Sequence, residues 1–282
     1  MKIAVLQTNV TDDKEKNLLE AEEKIRAAAD RGAELAILPE MFCCPYSDTY
    51  FKAFSEPACG RIWSFIAETA ARYKVAVAAG SMPESEEGKL YNSSFVFDST
   101  GRQIAIHRKM HLFDVDFRGG QYFKESATFS AGDKITVFDL GGIRFGLCIC
   151  FDMRFPELTR LMTLKGAEAV IVPAAFNRTT GPMHWETMFR QRAVDDQVYT
   201  IGCAPAADEN AEYISYGNSI ICSPLGEVLK RAGTGAEMLL EELDPEAVRA
   251  AREQLPLLSA RRTDIYEVRD RMRQEEQFTM NI

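Results

Sequence analysis

Arg31-Gly-Ala-Glu-Leu-Ala-Ile-Leu-Pro-Glu-Met-Phe42 returns later in the same chain as Lys165-Gly-Ala-Glu-Ala-Val-Ile-Val-Pro-Ala-Ala-Phe176. Each copy runs from a helix-ending glycine through a short apolar stretch of buried-strand character to a closing proline. Working outward, Gly80-Ser-Met-Pro83, Asn92-Ser93 and Gly101 find counterparts in Gly202-Cys-Ala-Pro205, Asn218-Ser219 and Gly226. Each half therefore reads as helix, buried strand, loop, helix, buried strand and a hairpin, with its turn at Ser99-Thr-Gly101 or Pro224-Leu-Gly226. The period is far too long for a solenoid. It predicts an α/β fold with an internal pseudo-two-fold, in which two sheets stack and helices cover the outer faces.

The buried strands are expected at Lys2–Gln7, Leu35–Leu38, Val75–Ala79, Phe95–Asp98, Ile104–His107, Phe145–Ile149, Ala169–Val172 and Tyr199–Cys203. A first helix is expected between the capping oxygens of Thr11-Asp12-Asp13 and Gly32, with Leu18, Ala21, Ile25, Ala28 and Ala29 as its apolar stripe. Another helix begins near His184 and runs to Asp195. No linker rich in Pro, Gly or Ser separates the halves, so residues 1–260 are read as one domain. Residues 261–282 form a charged C-terminal tail, solvated or packed on a neighbouring subunit.

Composition narrows the function classes. Hydrophobic residues at 46% and charged residues at 27% describe an ordinary globular chain with material for a large core. A net charge of −9 lacks the clustered cations that track phosphates, so nucleic acid is not an expected partner. Seven cysteines, an odd number without a Cys-x-x-Cys pair, fit reduced thiols in a cytoplasmic protein better than a disulfide framework. The first apolar stretch is too short for a signal peptide, and no run is long enough to span a membrane. Nucleotide-cradling glycine motifs and the Gly-x-Ser-x-Gly elbow are absent from the sequence.

Three apolar runs end in reactive groups. Phe145-Gly-Leu-Cys-Ile-Cys150 ends in a thiol, Leu35-Ala-Ile-Leu-Pro39-Glu40 in a carboxylate and Ile104-Ala-Ile-His107-Arg-Lys109 in an ammonium. A thiol, a carboxylate that takes its proton and a cation that stabilises an oxyanion make up a covalent amide-hydrolysing site. Strand alternation sends Cys148 and Cys150 to one face, with Cys148 deeper and Cys150 at the exit. The following helix is expected to favour the thiolate of Cys150. Glu40 has Ala174 as its partner in the repeat, so the fold itself does not require an acid there. Arg108 competes with Lys109 for the cationic role. His107 and His111 are spaced like metal ligands, but only His184 remains besides them and no further ligands lie at metal-like spacing. Neither a metal nor a cofactor is expected.

These runs, together with Leu38-Pro39-Glu40-Met-Phe42, His107-Arg-Lys109-Met-His111-Leu-Phe113-Asp114 and Ile149-Cys150-Phe151-Asp152-Met-Arg154-Phe155-Pro156-Glu157, resemble the nitrilase superfamily of carbon–nitrogen hydrolases over nearly the whole chain. The resemblance implies a four-layer α-β-β-α sandwich and a Glu40, Lys109 and Cys150 triad, with Glu125 as an additional acid orienting Lys109. It also implies the Phe151 N–H as second oxyanion donor, although Phe151 stands where the family carries Tyr. Pro45-Tyr46, the Lys109–Asp116 stretch and Phe176-Asn177-Arg-Thr179-Thr180-Gly181-Pro182-Met-His184-Trp185-Glu186 look most like the ω-amidase branch, which hydrolyses the terminal amide of short dicarboxylic monoamides such as 2-oxoglutaramate. Tyr46 with Arg154 or Arg178 would then hold the far carboxylate, and Asn177, Thr179 and Thr180 are further candidate donors. Arg154 has a competing structural reading as the partner of Asp152 or Glu157. N-carbamoyl hydrolases, deaminated-glutathione amidases and nitrilases share the triad, and a catalytically silent binding scaffold shares the fold. The resemblance further implies a homodimer, or a larger assembly of it, built through the helices after Cys150 and near His184.

Overall fold

A computed structural model describes residues 1–116 and 122–271; the tail expected at 261–282 lies outside them from residue 272 onward. The first sheet holds β1 (Lys2–Gln7), β2 (Leu35–Ile37), β3 (Ala76–Ala78), β4 (Met82–Glu86), β5 (Lys89–Phe97) and β6 (Gln103–Arg108). Two short strands, β7 (Asp114–Asp116) and β8 (Tyr122–Lys124), pair with each other. The second sheet holds β9 (Thr136–Leu140), β10 (Ile143–Leu147), β11 (Ala169–Pro173), β12 (Tyr199–Cys203), β13 (Ile220–Cys222) and β14 (Val228–Arg231). The chain then returns as β15 (Glu237–Glu242), antiparallel to β1 in the first sheet. The helices are α1 (Lys14–Asp30), α2 (Asp48–Phe54), α3 (Arg61–Tyr73), α4 (Pro156–Leu164), α5 (Gly181–Asp196) and α6 (Pro245–Gln254).

Period-two alternation on the central strands divides the core into three apolar layers. On β1, Ile3 and Val5 point between the sheets while Ala4 and Leu6 point toward the helices; β11 repeats this, with Ala169 and Ile171 inward and Val170 and Val172 outward. Leu18 and Ile25 of α1 and Ile66 of α3 cover the first sheet. Leu158 and Met162 of α4, with Trp185 and Phe189 of α5, cover the second. This is the expected α-β-β-α sandwich. Burying each such side chain stabilises the fold by about 1.5–3 kcal/mol, and because both faces are covered the parallel strands read as continuous apolar runs.

Local signals behave as expected where they are chemically specific. Asp13 caps α1 by accepting from the Lys16 N–H, and four of the five stripe residues of that helix are buried. The repeat also governs strand pairing: β1 runs parallel to β2 with Ile3 opposite Leu35, and β10 runs parallel to β11 with Phe145 opposite Ala169. The outer landmarks slip by one residue. Gly202 lies inside β12 opposite Val172, whereas Gly80 follows the end of β3 at φ 54°. A Cβ on Gly80 would stand 2.0 Å from the Pro39 carbonyl oxygen, so this glycine is what lets the chain pass close beside the end of β2.

Candidate active site

Glu40 follows β2 and is fully buried. Its Oε1 accepts from Asn92 Nδ2 at 2.9 Å and from Lys109 Nζ at 3.0 Å, while its Oε2 accepts from the backbone N–H of Ala175 at 2.7 Å. Lys109 leaves β6 with its N–H on the Asn92 carbonyl at 2.9 Å. The register that makes β6 an antiparallel partner of β5 thus aims the ammonium inward. Arg108 points elsewhere: it is paired with Glu84 and Glu86 at 2.7 Å and stacks over Tyr91.

Glu125, in a one-turn helix at Glu125–Ala127, grips the ammonium from the other side at 2.8 Å and accepts from the Phe113 N–H at 2.6 Å. Burial works against a charged lysine, but Glu125 and Glu40 outweigh it and hold Lys109 above the ordinary lysine range. Burial, partly countered by Lys109, raises the Glu125 carboxyl. The cluster is fully desolvated, which makes its charge–charge contacts strong and the loss of any one member costly.

Cys150 departs from the expected geometry. Strand β10 ends at Leu147, so alternation does not extend to Cys150, which opens a 3₁₀ turn at Cys150–Arg154 with φ 48°. The thiol lies beside the charges of Glu40, Lys109 and Glu125. Burial, followed by the Glu40 charge, pushes it well above the ordinary thiol range despite Lys109. That direction favours the thiol over the dipole-stabilised thiolate expected from sequence. Desolvation and an adjacent carboxylate outweigh the dipole of the following helix. Cys148 is fully buried.

Tyr46 places its hydroxyl 3.4 Å from Lys109 Nζ, and its ring lies 4.6 Å from that of Tyr213. The Tyr213 hydroxyl donates to the Ala175 carbonyl, so Ala175, beside Glu40, is held at both its N–H and its C=O. Glu40, Tyr46, Ala175 and Tyr213 line a cavity of about 710 Å³ that opens between the 10–13 and 205–215 segments. Phe151 packs edge-on against Phe113 and Phe155.

Arg154 forms no ion pair among the described residues; it donates to His184 Nδ1 at 3.1 Å and lies 4.9 Å over the Phe176 ring. The oxygens of Asp152 are engaged by other groups, including His107 Nε2 and His111 Nδ1. Arg178 sits at the surface, paired with Glu209. Asn177 Oδ1 accepts from the N–H groups of Thr179 and Thr180 at 3.0 and 2.9 Å, closing the turn ahead of α5. The structure thus gathers Glu40, Lys109, Glu125, Cys150 and Tyr46 in one buried group, with Phe151 and Arg154 on the adjoining turn.

Asn92, the Ala175 N–H, Tyr213 and Asp152 were missed as site residues by sequence reasoning. Only Asn92 left a signal, as the polar landmark Asn92-Ser93 inside an apolar strand. The two histidines with metal-like spacing both serve Asp152, and no group among the described residues is arranged to hold a metal ion.

A carbon–nitrogen hydrolase family model matches residues 2–253. The chain is 42% identical to omega-amidase NIT2 of Bos taurus, over 95% of this chain and 97% of the relative. It is 40% identical to the Homo sapiens omega-amidase NIT2, with the same coverage. Among solved structures it is similar to Saccharomyces cerevisiae Nit3, a member of branch 10 of the nitrilase superfamily, with TM-score 0.84 and 39% identity over 93% of this chain and 96% of that one. The Caenorhabditis elegans NitFhit protein matches with TM-score 0.87 and 30% identity, over 95% of this chain and 66% of that one. No helix among the described residues is long and apolar enough to cross a membrane. The chain belongs to the carbon–nitrogen hydrolase family, as an amidohydrolase of the nitrilase superfamily that acts on carbon–nitrogen bonds other than peptide bonds.

Proposed function

We propose that the chain is an ω-amidase, cleaving the terminal amide of a short dicarboxylic monoamide such as 2-oxoglutaramate through a thioester at Cys150. The observation that carries this reading is one buried ammonium clasped between Glu40 and Glu125, beside the Cys150 thiol. Glu40 takes the Cys150 proton as sulfur attacks the amide carbon. The carbonyl oxygen gains the negative charge, and the Lys109 ammonium with the Phe151 N–H would receive it. Glu40 then protonates the departing nitrogen, the C–N bond breaks and ammonia leaves. Glu40 next deprotonates water, which adds to the thioester; collapse releases the acid and returns the proton to sulfur. Glu125 keeps Lys109 charged and aimed throughout. The names of the NIT2 relatives agree with this substrate class.

Arg154 supports the choice of an acidic substrate. A guanidinium without a carboxylate, on the turn that carries the nucleophile, suits the far carboxylate of the monoamide, with Tyr46 beside the reacting end. The test is ammonia release from succinamate and 2-oxoglutaramate compared with butyramide and N-carbamoyl amino acids. The ω-amides should turn over at least about tenfold faster in kcat/KM, the worth of one charge-assisted hydrogen bond. Equal rates on butyramide and succinamate would remove the ω-amidase reading, and preference for N-carbamoyl compounds would replace it.

A further inference from the structure

Asp152 lies two residues beyond Cys150, is fully buried, and is surrounded by donors alone. Its Oδ2 accepts from the Ile149 N–H at 3.0 Å and His107 Nε2 at 3.0 Å. Its Oδ1 accepts from the N–H groups of Met110 and His111 at 3.2 and 2.8 Å, and from His111 Nδ1 at 2.7 Å. The donors come from two short segments. Residues 107–111 have Lys109 at their centre, and residues 149–152 contain Cys150. One carboxylate therefore ties the cation-bearing loop to the nucleophile-bearing turn, and it does so through the backbone on both sides.

The histidines are fixed in turn. His107 Nδ1 meets Thr136 Oγ1 at 3.1 Å, and that hydroxyl reaches the Ile106 carbonyl at 3.0 Å. His111 stacks flat on Phe155, with ring centres 3.7 Å apart and planes at 13°. Burial alone would raise the Asp152 carboxyl, but the hydrogen bonds from His107 and His111 hold it well below the usual carboxylate range. It is thus an ionised acceptor whose oxygens are taken up by these two segments.

We infer that Asp152, oriented by His107 and His111, is a positioning residue that sets the placement of Lys109 relative to Cys150. The inference rests on the catalytic roles proposed above. Misplacing a reacting group by about 1 Å costs about a hundredfold in rate. An amide at Asp152 would turn its NH₂ toward N–H donors and spread the two segments. Asp152→Asn should lower kcat about a hundredfold with KM within about threefold, because the groups it moves act in the transition state more than in binding.

The decisive readout is iodoacetamide alkylation of Cys150, which follows the thiolate fraction and hence the nearness of Lys109. Asp152→Asn should slow alkylation about tenfold in the wild-type background and less than about twofold in a Lys109→Met background. Equal slowing in both backgrounds would show that Asp152 acts through the fold at large and would overturn the inference. His111→Phe guards against a failure to fold, because it keeps the stack on Phe155 while removing the ring donor. It should lower kcat about tenfold, and His111→Gln, which keeps a donor, should recover most of the loss. Unchanged kcat in both Asp152→Asn and His111→Phe would also overturn the inference. Full activity in Lys109→Met would instead remove the catalytic assignment beneath it.

Discussion

The ends of β2 and β11 occupy equivalent places in the two halves, yet Leu38-Pro39-Glu40 ends in a buried carboxylate and Val172-Pro173-Ala174 in a methyl group. The neighbouring strands invert that difference. Counted along the shared register, the residue that corresponds to Cys150 after β10 is Thr8 after β1, and the Thr8 hydroxyl is buried without a hydrogen-bond partner. The framework thus offers the same two strand-end positions twice. The first half fills one with the acid, and the second fills the other with the thiol. The halves meet where Ala175, next to the silent Ala174, donates its N–H to Glu40. Strand-end placement belongs to the fold, whereas the chemistry comes from which side chain occupies it.

This asymmetry can be broken most severely at its active members. Cys150→Ser, Glu40→Gln and Lys109→Met should each lower kcat by more than about a thousandfold without additivity in combination, because the groups act as a unit. Steady-state ammonia release checks this, and near-normal turnover in any one would remove its residue from the mechanism. Next comes the backbone behind Glu40. Gly80→Ala would press a methyl group onto the Pro39 carbonyl and impose strain at positive φ. It should lower kcat about a hundredfold through displacement of Glu40. Gly202→Ala meets the Phe189 ring at 2.5 Å in the other half. It should destabilise by about 1–3 kcal/mol in chemical denaturation yet leave kcat of the folded enzyme near normal.

Smaller effects sharpen the comparison. Arg154→Met should raise KM for succinamate about tenfold or more and leave butyramide unchanged. Arg178→Met, which breaks only an exposed pair with Glu209, should change KM less than about twofold. Equal KM effects of these two changes would remove Arg154 from substrate recognition. Thr8→Val should be the mildest: it replaces an unpartnered buried hydroxyl with a methyl group of similar shape. Stability should stay within about 0.5 kcal/mol or rise, with kcat unchanged.

What could be read from the sequence follows from the range of each interaction. Strands β1 and β12 were expected at their observed limits, and β2, β3 and β11 within one residue at each end, because burial on both faces leaves unbroken apolar runs. Only the last part of β5 was expected, since Asn92, Ser93 and Ser94 interrupt its apolar pattern. The pair β7 and β8 and the acidic strand β15 were missed, because half-exposed segments such as Asp114-Val-Asp116 and Glu237-Met-Leu-Leu-Glu-Glu242 carry little strand signal. Glu40, Lys109 and Cys150 stood out as reactive groups at the ends of apolar runs. The Ala175 N–H, the Tyr213 hydroxyl and the Asp152 clamp did not, since each acts on a segment far away in the chain through contacts that no local pattern encodes. The upward push on the Cys150 thiol was hidden for a related reason: it comes from desolvation and from Glu40, both products of tertiary packing.

The most direct test of a thiol from one half activated by an acid from the other is mass mapping of the acyl-enzyme. Wild-type and Glu40→Gln proteins are mixed with succinamate, quenched within one turnover and digested. A succinyl adduct should form on the peptide containing Cys150 in the wild-type enzyme and be lost in Glu40→Gln, where the thiol is not deprotonated. An adduct on any other of the seven cysteines, or ammonia release with no adduct at all, would contradict it.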